Sequence, residues 1–121
     1  MNAKTALALS KPCIDIGYFT EQPRQMLAFW QQEMGLVADT PVEFNNGLTQ
    51  HRHALGNSVI KINTSNQPLP TASCSYAELL IADDSLTTPQ QLTDPDGNRI
   101  TRVPAGYENI HGLGIKVATH D

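Results

Sequence analysis

The sequence predicts an α+β fold, a βαβββ module followed by a second module poor in helix. Three features point to it. Residues 22–34 have helical periodicity, with Met26, Leu27, Trp30 and Met34 on one apolar stripe. Short runs with strand-like alternation, parted by turn residues, lie on either side. Residues 83–91, where a repeat of the first module would need its own helix, hold Pro89 and only Leu86 as a large apolar side chain. That is too little for an amphipathic helix.

The first strand is expected at residues 13–19, where Ile14 and Ile16 share one face and Cys13, Asp15 and Gly17 the other. Thr20 or Glu21 opens the helix, and Pro23 suits its first turn, where a missing N–H does no harm. Gly35 is a natural stop. The other side of the helix carries Arg24, Gln25, Gln31, Gln32 and Glu33, so it lies on a sheet with Trp30 turned into the core. A second strand follows at 37–44, with Pro41 marking an edge or a bulge. Asn45-Asn46-Gly47 turns the chain into a third strand at 48–55. Gly56-Asn57 turns it again into a fourth at 58–63, with Ile60 and Ile62 on one face and Val59, Lys61 and Asn63 on the other.

Residues 64–73 are polar, contain Pro68 and Pro70, and link the two halves. An apolar fifth strand is expected at 75–82. The chain then runs straight to Leu92 and the turn Asp94-Pro95-Asp96-Gly97-Asn98. Pro95 presets φ near about −65°, Asp94 and Asp96 can bond backbone N–H groups just ahead, and Gly97 and Asn98 tolerate positive φ. The reversal feeds a strand at 99–103 that Pro104 ends. A last strand is expected at 110–118.

The chain has 121 residues, enough for one domain with a core of its own. Its net charge is −4, and its 8 basic residues are scattered against 12 acidic ones. No basic stripe is available to neutralise phosphates, which argues against nucleic-acid binding. The apolar runs are too short to span a bilayer, and residues 5–10 are too short and too mildly apolar for a secretory signal. Residues 1–11 are read as a mobile tail and 12–121 as one domain. Within it, 12–63 form the first module, 74–104 the reduced second module and 108–119 the C-terminal strand. Cys13 and Cys74 do not make a disulfide framework. They read as small buried thiols in a reducing cytoplasm, since no partner base is signalled for either.

Two stretches resemble a known family. Ile14-Asp15-Ile16-Gly17-Tyr18-Phe19, followed by Leu27-Ala28-Phe29-Trp30 and Gly35-Leu36, is similar to the opening strand and helix of the vicinal oxygen chelate superfamily. This superfamily includes glyoxalase I, extradiol dioxygenases and bleomycin-resistance proteins. Asp94-Pro95-Asp96-Gly97-Asn98-Arg99-Ile100 resembles its last hairpin. The resemblance spans residues 13–104 and implies paired βαβββ modules whose curved mixed sheet encloses a cup, here with the second module stripped of its helix. Gly112-Leu113-Gly114-Ile115-Lys116-Val117 looks like the first strand of a further module, as in a shortened relative or an excised part of a tandem protein.

The resemblance also implies where ligands would lie, on cup-facing positions of the first, fourth, fifth and last strands. Asp15 falls where the first strand usually offers a histidine, Lys61 where the fourth usually offers a glutamate or another ligand, Thr101 where the last usually offers a glutamate, and Tyr76 or Ala77 at the fifth-strand position. An ammonium is a donor only and repels a divalent cation, and threonine is a poor neutral ligand. The usual metal site therefore looks dismantled, and no cofactor is expected. Lys61 sits among Val59, Ile60 and Ile62, so partial burial would call for a counter-charge from Asp15 or Glu78. The alternative is a solvated edge lysine. His51 and His53 leave one face of the third strand. If a divalent metal binds at all, those two with Asp15 are the candidate set. The plainer reading of the pair is a hydrogen-bonded or solvent-facing couple at a cavity rim.

These residues support a binding protein first, holding a small organic molecule in a cup lined by Asp15, His51, His53, Lys61 and Thr101, with no established catalytic residue. The competing reading is a metal-dependent lyase, isomerase or dioxygenase. A third is an interaction domain that has lost its ligand. Leu79, Ile81 and Ile100 have no local helix to cover them, which predicts a homodimer in which a second copy does so.

Overall fold

The structure is a computed structural model that describes residues 13–69 and 78–116. The expected N-terminal tail, Cys74, Tyr76, Ala77 and His120 fall outside these residues. The chain order is β1 (Ile16–Thr20), α1 (Pro23–Ala28), a π-helical turn (Phe29–Glu33), β2 (Val42–Glu43), β3 (Leu48–Leu55) and β4 (Ser58–Ser65). It continues with β5 (Glu78–Ala82), β6 (Gln90–Thr93), β7 (Arg99–Val103), a short 3-10 turn (Tyr107–Asn109) and β8 (Leu113–Lys116). The α+β architecture with a βαβββ module and a helix-poor second module is present.

The strands form two mixed four-stranded sheets, ordered β1-β4-β3-β2 and β6-β7-β5-β8. In the first, β1 runs parallel to β4, and β3 is antiparallel to β4. In the second, β5 runs parallel to β7, and β6 is antiparallel to β7. The second sheet thus repeats the β1-β4-β3 arrangement in β5-β7-β6, without a counterpart to α1 or β2 among the described residues. β8 adds an antiparallel strand on the free edge of β5.

The second strand is shorter than the sequence pattern suggests, and the helix changes pitch along its length. The second strand shrinks to Val42–Glu43, with one isolated bridge between Ala38 and His53. Pro41 lies between the two, and its missing N–H cannot join a ladder. The helix begins at Pro23, as its fixed φ favours, but changes pitch after Ala28. There the Met34 N–H reaches back to the Phe29 carbonyl at 2.8 Å, a five-residue step. Gly35 ends the helix at φ +76°, a left-handed conformation open to glycine.

Met26, Phe29, Trp30 and Met34 are buried in one core with Ile16 and Tyr18 of β1 and Ile60 and Ile62 of β4. The Trp30 ring lies edge-on to Phe29 at 5.4 Å and 5.8 Å from Tyr18, as expected for a core tryptophan. The same core includes Leu79, Ile81 and Ile100 of the second sheet. The expectation that these three lack a cover is therefore corrected, because one helix serves both sheets. Its start is tied to the β6–β7 turn, where Gln22 Nε2 donates to Asp96 Oδ1 at 2.7 Å and to the Pro95 carbonyl at 3.2 Å. Its end is tied to β7, where Arg102 Nη2 donates to the Glu33 carbonyl at 2.9 Å. That carbonyl is one of those a helix end leaves without an internal partner.

Candidate functional site

The register of β1, β4 and β3 sorts the candidate residues onto two faces. Ile16 pairs with Ile60 and Tyr18 with Ile62, so the face beneath the helix is apolar. Gly17 pairs with Lys61 and Phe19 with Asn63 on the opposite, open face. On β3, Arg52 stands opposite Lys61 and Gln50 opposite Asn63. Asp15, two residues before Gly17, joins this open face. Lys61 Nζ lies 3.8 Å from Asp15 Oδ2, with the two side chains 28% and 26% exposed. Asp15 Oδ1 also accepts the Val59 N–H at 2.9 Å.

His51 and His53 lie on the other face. They stand opposite Ile62 and Ile60, so their side chains point toward the helix. His53 is fully buried. Its Nδ1 is 3.1 Å from the Ile60 carbonyl and its Nε2 is 3.2 Å from the Gln31 amide nitrogen. Both contacts are met by a neutral imidazole that donates from Nδ1 and accepts at Nε2. His51 is partly buried beside it, and desolvation, reinforced by His53, lowers its pKa. The placement of His51 and His53 with Asp15 around one cavity is thus corrected, since the sheet itself separates the histidines from the carboxylate. His53 is a hydrogen-bonded core residue, and His51 lies partly buried beside it on the same face.

Thr101 pairs with Leu80 on the second sheet, and its hydroxyl donates to Glu78 Oε2. Glu78 is thereby engaged with threonine, while Asp15 is the counter-charge of Lys61. The fifth-strand candidates Tyr76 and Ala77 lie outside the described residues.

The described residues around Asp15 do not fit a divalent metal. On the open face of the first sheet, the Asp15 carboxylate faces an ammonium, with a guanidinium next across the ladder. Among the described residues no group of three or more His, Cys, Asp and Glu side chains is placed to hold a metal ion. Two surface clefts form elsewhere. One of about 540 Å³ runs between the helix and the β6–β7 turn, lined by Gln25, Phe29, Glu33 and Asp94 among others. A smaller one of about 280 Å³ lies by Phe44, Gly47 and Asn66. Neither includes Asp15, His51, His53, Lys61 or Thr101.

The inward histidines were legible in the hairpin. A two-residue loop at Gly56-Asn57 leaves Leu55 opposite Ser58, which sets His53 opposite Ile60 and His51 opposite Ile62. The same count brings Arg52 beside Lys61, a residue not singled out from the sequence.

No family profile and no curated protein matches the chain. Solved structures do. YycE from Bacillus subtilis, a protein of unknown function whose proposed class is glyoxalase/fosfomycin resistance protein, superimposes with a TM-score of 0.59 at 15% identity. The match covers 84% of this chain and 96% of that one. Lactoylglutathione lyase from Agrobacterium tumefaciens gives 0.55 at 10% identity, over 79% and 95% of the two chains. An integron cassette protein from the mobile metagenome of V. cholerae gives 0.54 at 17% identity, over 82% and 98%. Among the described residues, no helix is long and apolar enough to cross a membrane. The two-sheet topology and these three structures together establish that the chain has the fold of the vicinal oxygen chelate, or glyoxalase/bleomycin-resistance, superfamily.

Proposed function

We propose that the chain is a small-molecule-binding protein of the glyoxalase/bleomycin-resistance type, cytoplasmic and homodimeric, that works without a metal. One observation carries the reading. Where the fold's relatives would present metal ligands, the Lys61 ammonium sits 3.8 Å from the Asp15 carboxylate. A divalent ion there would have to displace the lysine and would meet Arg52 next to it. A lyase or dioxygenase reading needs a ligand set, and the two histidines that would supply it lie on the far side of the sheet. The fold alone does not choose between them, because one fold hosts many chemistries.

The test is a thermal-shift screen of the purified protein in two arms. With EDTA present, a panel of small organic compounds is expected to include at least one that stabilises saturably. In the other arm Zn²⁺, Ni²⁺, Mn²⁺ and Fe²⁺ are titrated, and no saturable stabilisation is expected. Stabilisation of about 3 kcal/mol at roughly 100-fold excess of an ion over its Kd, lost in Asp15→Ala, would overturn the reading.

A further inference from the structure

We infer that the open face of the first sheet takes an organic anion, a carboxylate or phosphate head on an aryl or other apolar body, with Arg52 as its anchor. This rests on the binding-protein reading and names the ligand class of that face. Arg52 and Lys61 stand directly opposite each other on neighbouring antiparallel strands. Like charges in that position repel, and nothing in the fold requires both. Asp15 offsets one of the two positive charges by its ion pair with Lys61. The Arg52 guanidinium has no ion-pair or hydrogen-bond partner among the described residues. Asp39 lies beside Arg52 through a backbone bond, its N–H donating to the Arg52 carbonyl at 2.9 Å, but it makes no ion pair with the guanidinium. One positive charge is therefore left over on a half-buried face, in a fork geometry suited to a planar carboxylate or a phosphate.

The neighbouring positions supply room and an apolar wall. Gly17 pairs with Lys61, and a Cβ built on it would meet nothing nearer than the Asn63 amide at 3.6 Å. The floor beside Lys61 is thus open. Phe19, next along the same face, is 59% exposed although it lies within a strand. Gln50 and Asn63 bond each other at 2.9 Å, and Asn63 donates to the Tyr18 carbonyl at 3.2 Å. Those amides hold the floor in place. An anion against Arg52, with its apolar body over Gly17 and against Phe19, would relieve the cationic pair and cover the exposed ring.

Calorimetric titration with four matched probes, benzoate, phenyl phosphate, benzyl alcohol and benzylamine, tests this. At least one of the two anions is expected to bind tenfold or more tightly than the alcohol, with the amine weakest and with affinity falling as salt rises. Whichever of benzoate and phenyl phosphate binds more tightly identifies the head group. Arg52→Gln is expected to weaken the anion at least tenfold, and Arg52→Lys less. Gly17→Leu, which keeps every charge and fills the floor, is expected to abolish binding, with the unchanged circular dichroism of each variant as the control for folding. Equal binding of benzyl alcohol, or full anion affinity in Arg52→Gln, overturns the ligand class and leaves the binding-protein reading standing. Binding of none of the four probes also overturns the ligand class. Stabilisation by a metal ion in the separate metal titration overturns the binding reading itself.

Discussion

His53 and Gln31 meet beneath the helix, with the imidazole Nε2 3.2 Å from the Gln31 amide nitrogen and the ring wholly shielded from water. This contact joins β3 to the helix through polar atoms inside an otherwise apolar layer. His53→Ala removes a buried ring and leaves the Gln31 amide without its acceptor. The expected loss is about 3 kcal/mol, in the range for large-to-small core substitutions. Chemical denaturation of the variant and of Gln31→Ala measures it. A loss below about 1 kcal/mol for His53→Ala would show that the site collapses freely.

The neighbouring His51 gives the fold a pH dependence with a definite sign. Burial first, and then the nearby His53, hold its pKa below the ordinary histidine value. The folded state therefore resists protonating it, while the unfolded state does not. Its stabilising share is present above the unfolded pKa of about 6.5 and is lost as pH falls through the lower folded value. Melting temperatures between pH 8 and pH 5 should decline toward acid, and His51→Gln should flatten part of that slope. An unchanged slope in the variant would assign the acid sensitivity elsewhere.

The helix is tethered to the second sheet at both ends, by Gln22 to the β6–β7 turn and by Arg102 to the Glu33 carbonyl. These contacts are exposed, so Gln22→Ala and Arg102→Ala should each cost about 1 kcal/mol. They lie roughly 15 Å apart along the helix, so the double variant should show nearly the sum. Denaturant titration of the three variants decides this. A double-variant loss well above the sum would mean that the tethers act as one unit.

Asp94 organises the turn that receives the first tether. Its Oδ1 accepts the N–H groups of Asp96 at 3.0 Å and Asn98 at 2.8 Å, and its Oδ2 accepts the Asn98 amide at 2.8 Å. The side chain is nearly buried, and desolvation raises its pKa against the pull of those hydrogen bonds. Asp94→Ala is expected to cost about 2 kcal/mol, and Asp94→Asn, which keeps an acceptor for the backbone N–H groups, clearly less. Equal losses in thermal melts would show that the charge, not the turn geometry, matters there.

The assembly proposed here has a narrower basis than uncovered core residues. Val37 and Phe44 beside β2, Val42 within it and Ile115 on the edge strand β8 remain exposed, from 41% at Val42 to 80% at Val37. Light scattering at micromolar concentration is expected to give a dimer of the 13.2 kDa chain, and Ile115→Lys to weaken it. A monodisperse monomer would end the proposal.

Much of this architecture was legible residue by residue. The helix stripe, Gly35, the Gly56-Asn57 hairpin and the Asp94–Asn98 turn each act through local chemistry and appear where that chemistry placed them. The pitch change after Ala28 had no local signal in the sequence. Alternation showed that His51 and His53 share a face but not which face. That depends on their pairing with Ile60 and Ile62, a nonlocal fact readable only by counting across the hairpin loop. Arg52 escaped notice for the same reason. Leu79, Ile81 and Ile100 looked uncovered because their cover comes from a helix far earlier in the chain, across the linker.

The sharing of that helix has a consequence for how the molecule can come apart. Two halves with matching strand order are ordinarily candidates for separate folding units. Here the second half has no helix of its own among the described residues, and its buried Leu79, Ile81 and Ile100 share one core with Met26 and Trp30. The β5-β6-β7 half has no independent stability to fall back on, and the first half loses part of its core if the second detaches. Unfolding is then a single cooperative step, with amide protons of β4 and β7 exchanging through the same global opening. Two matching strand arrangements that share one helix make one indivisible unit.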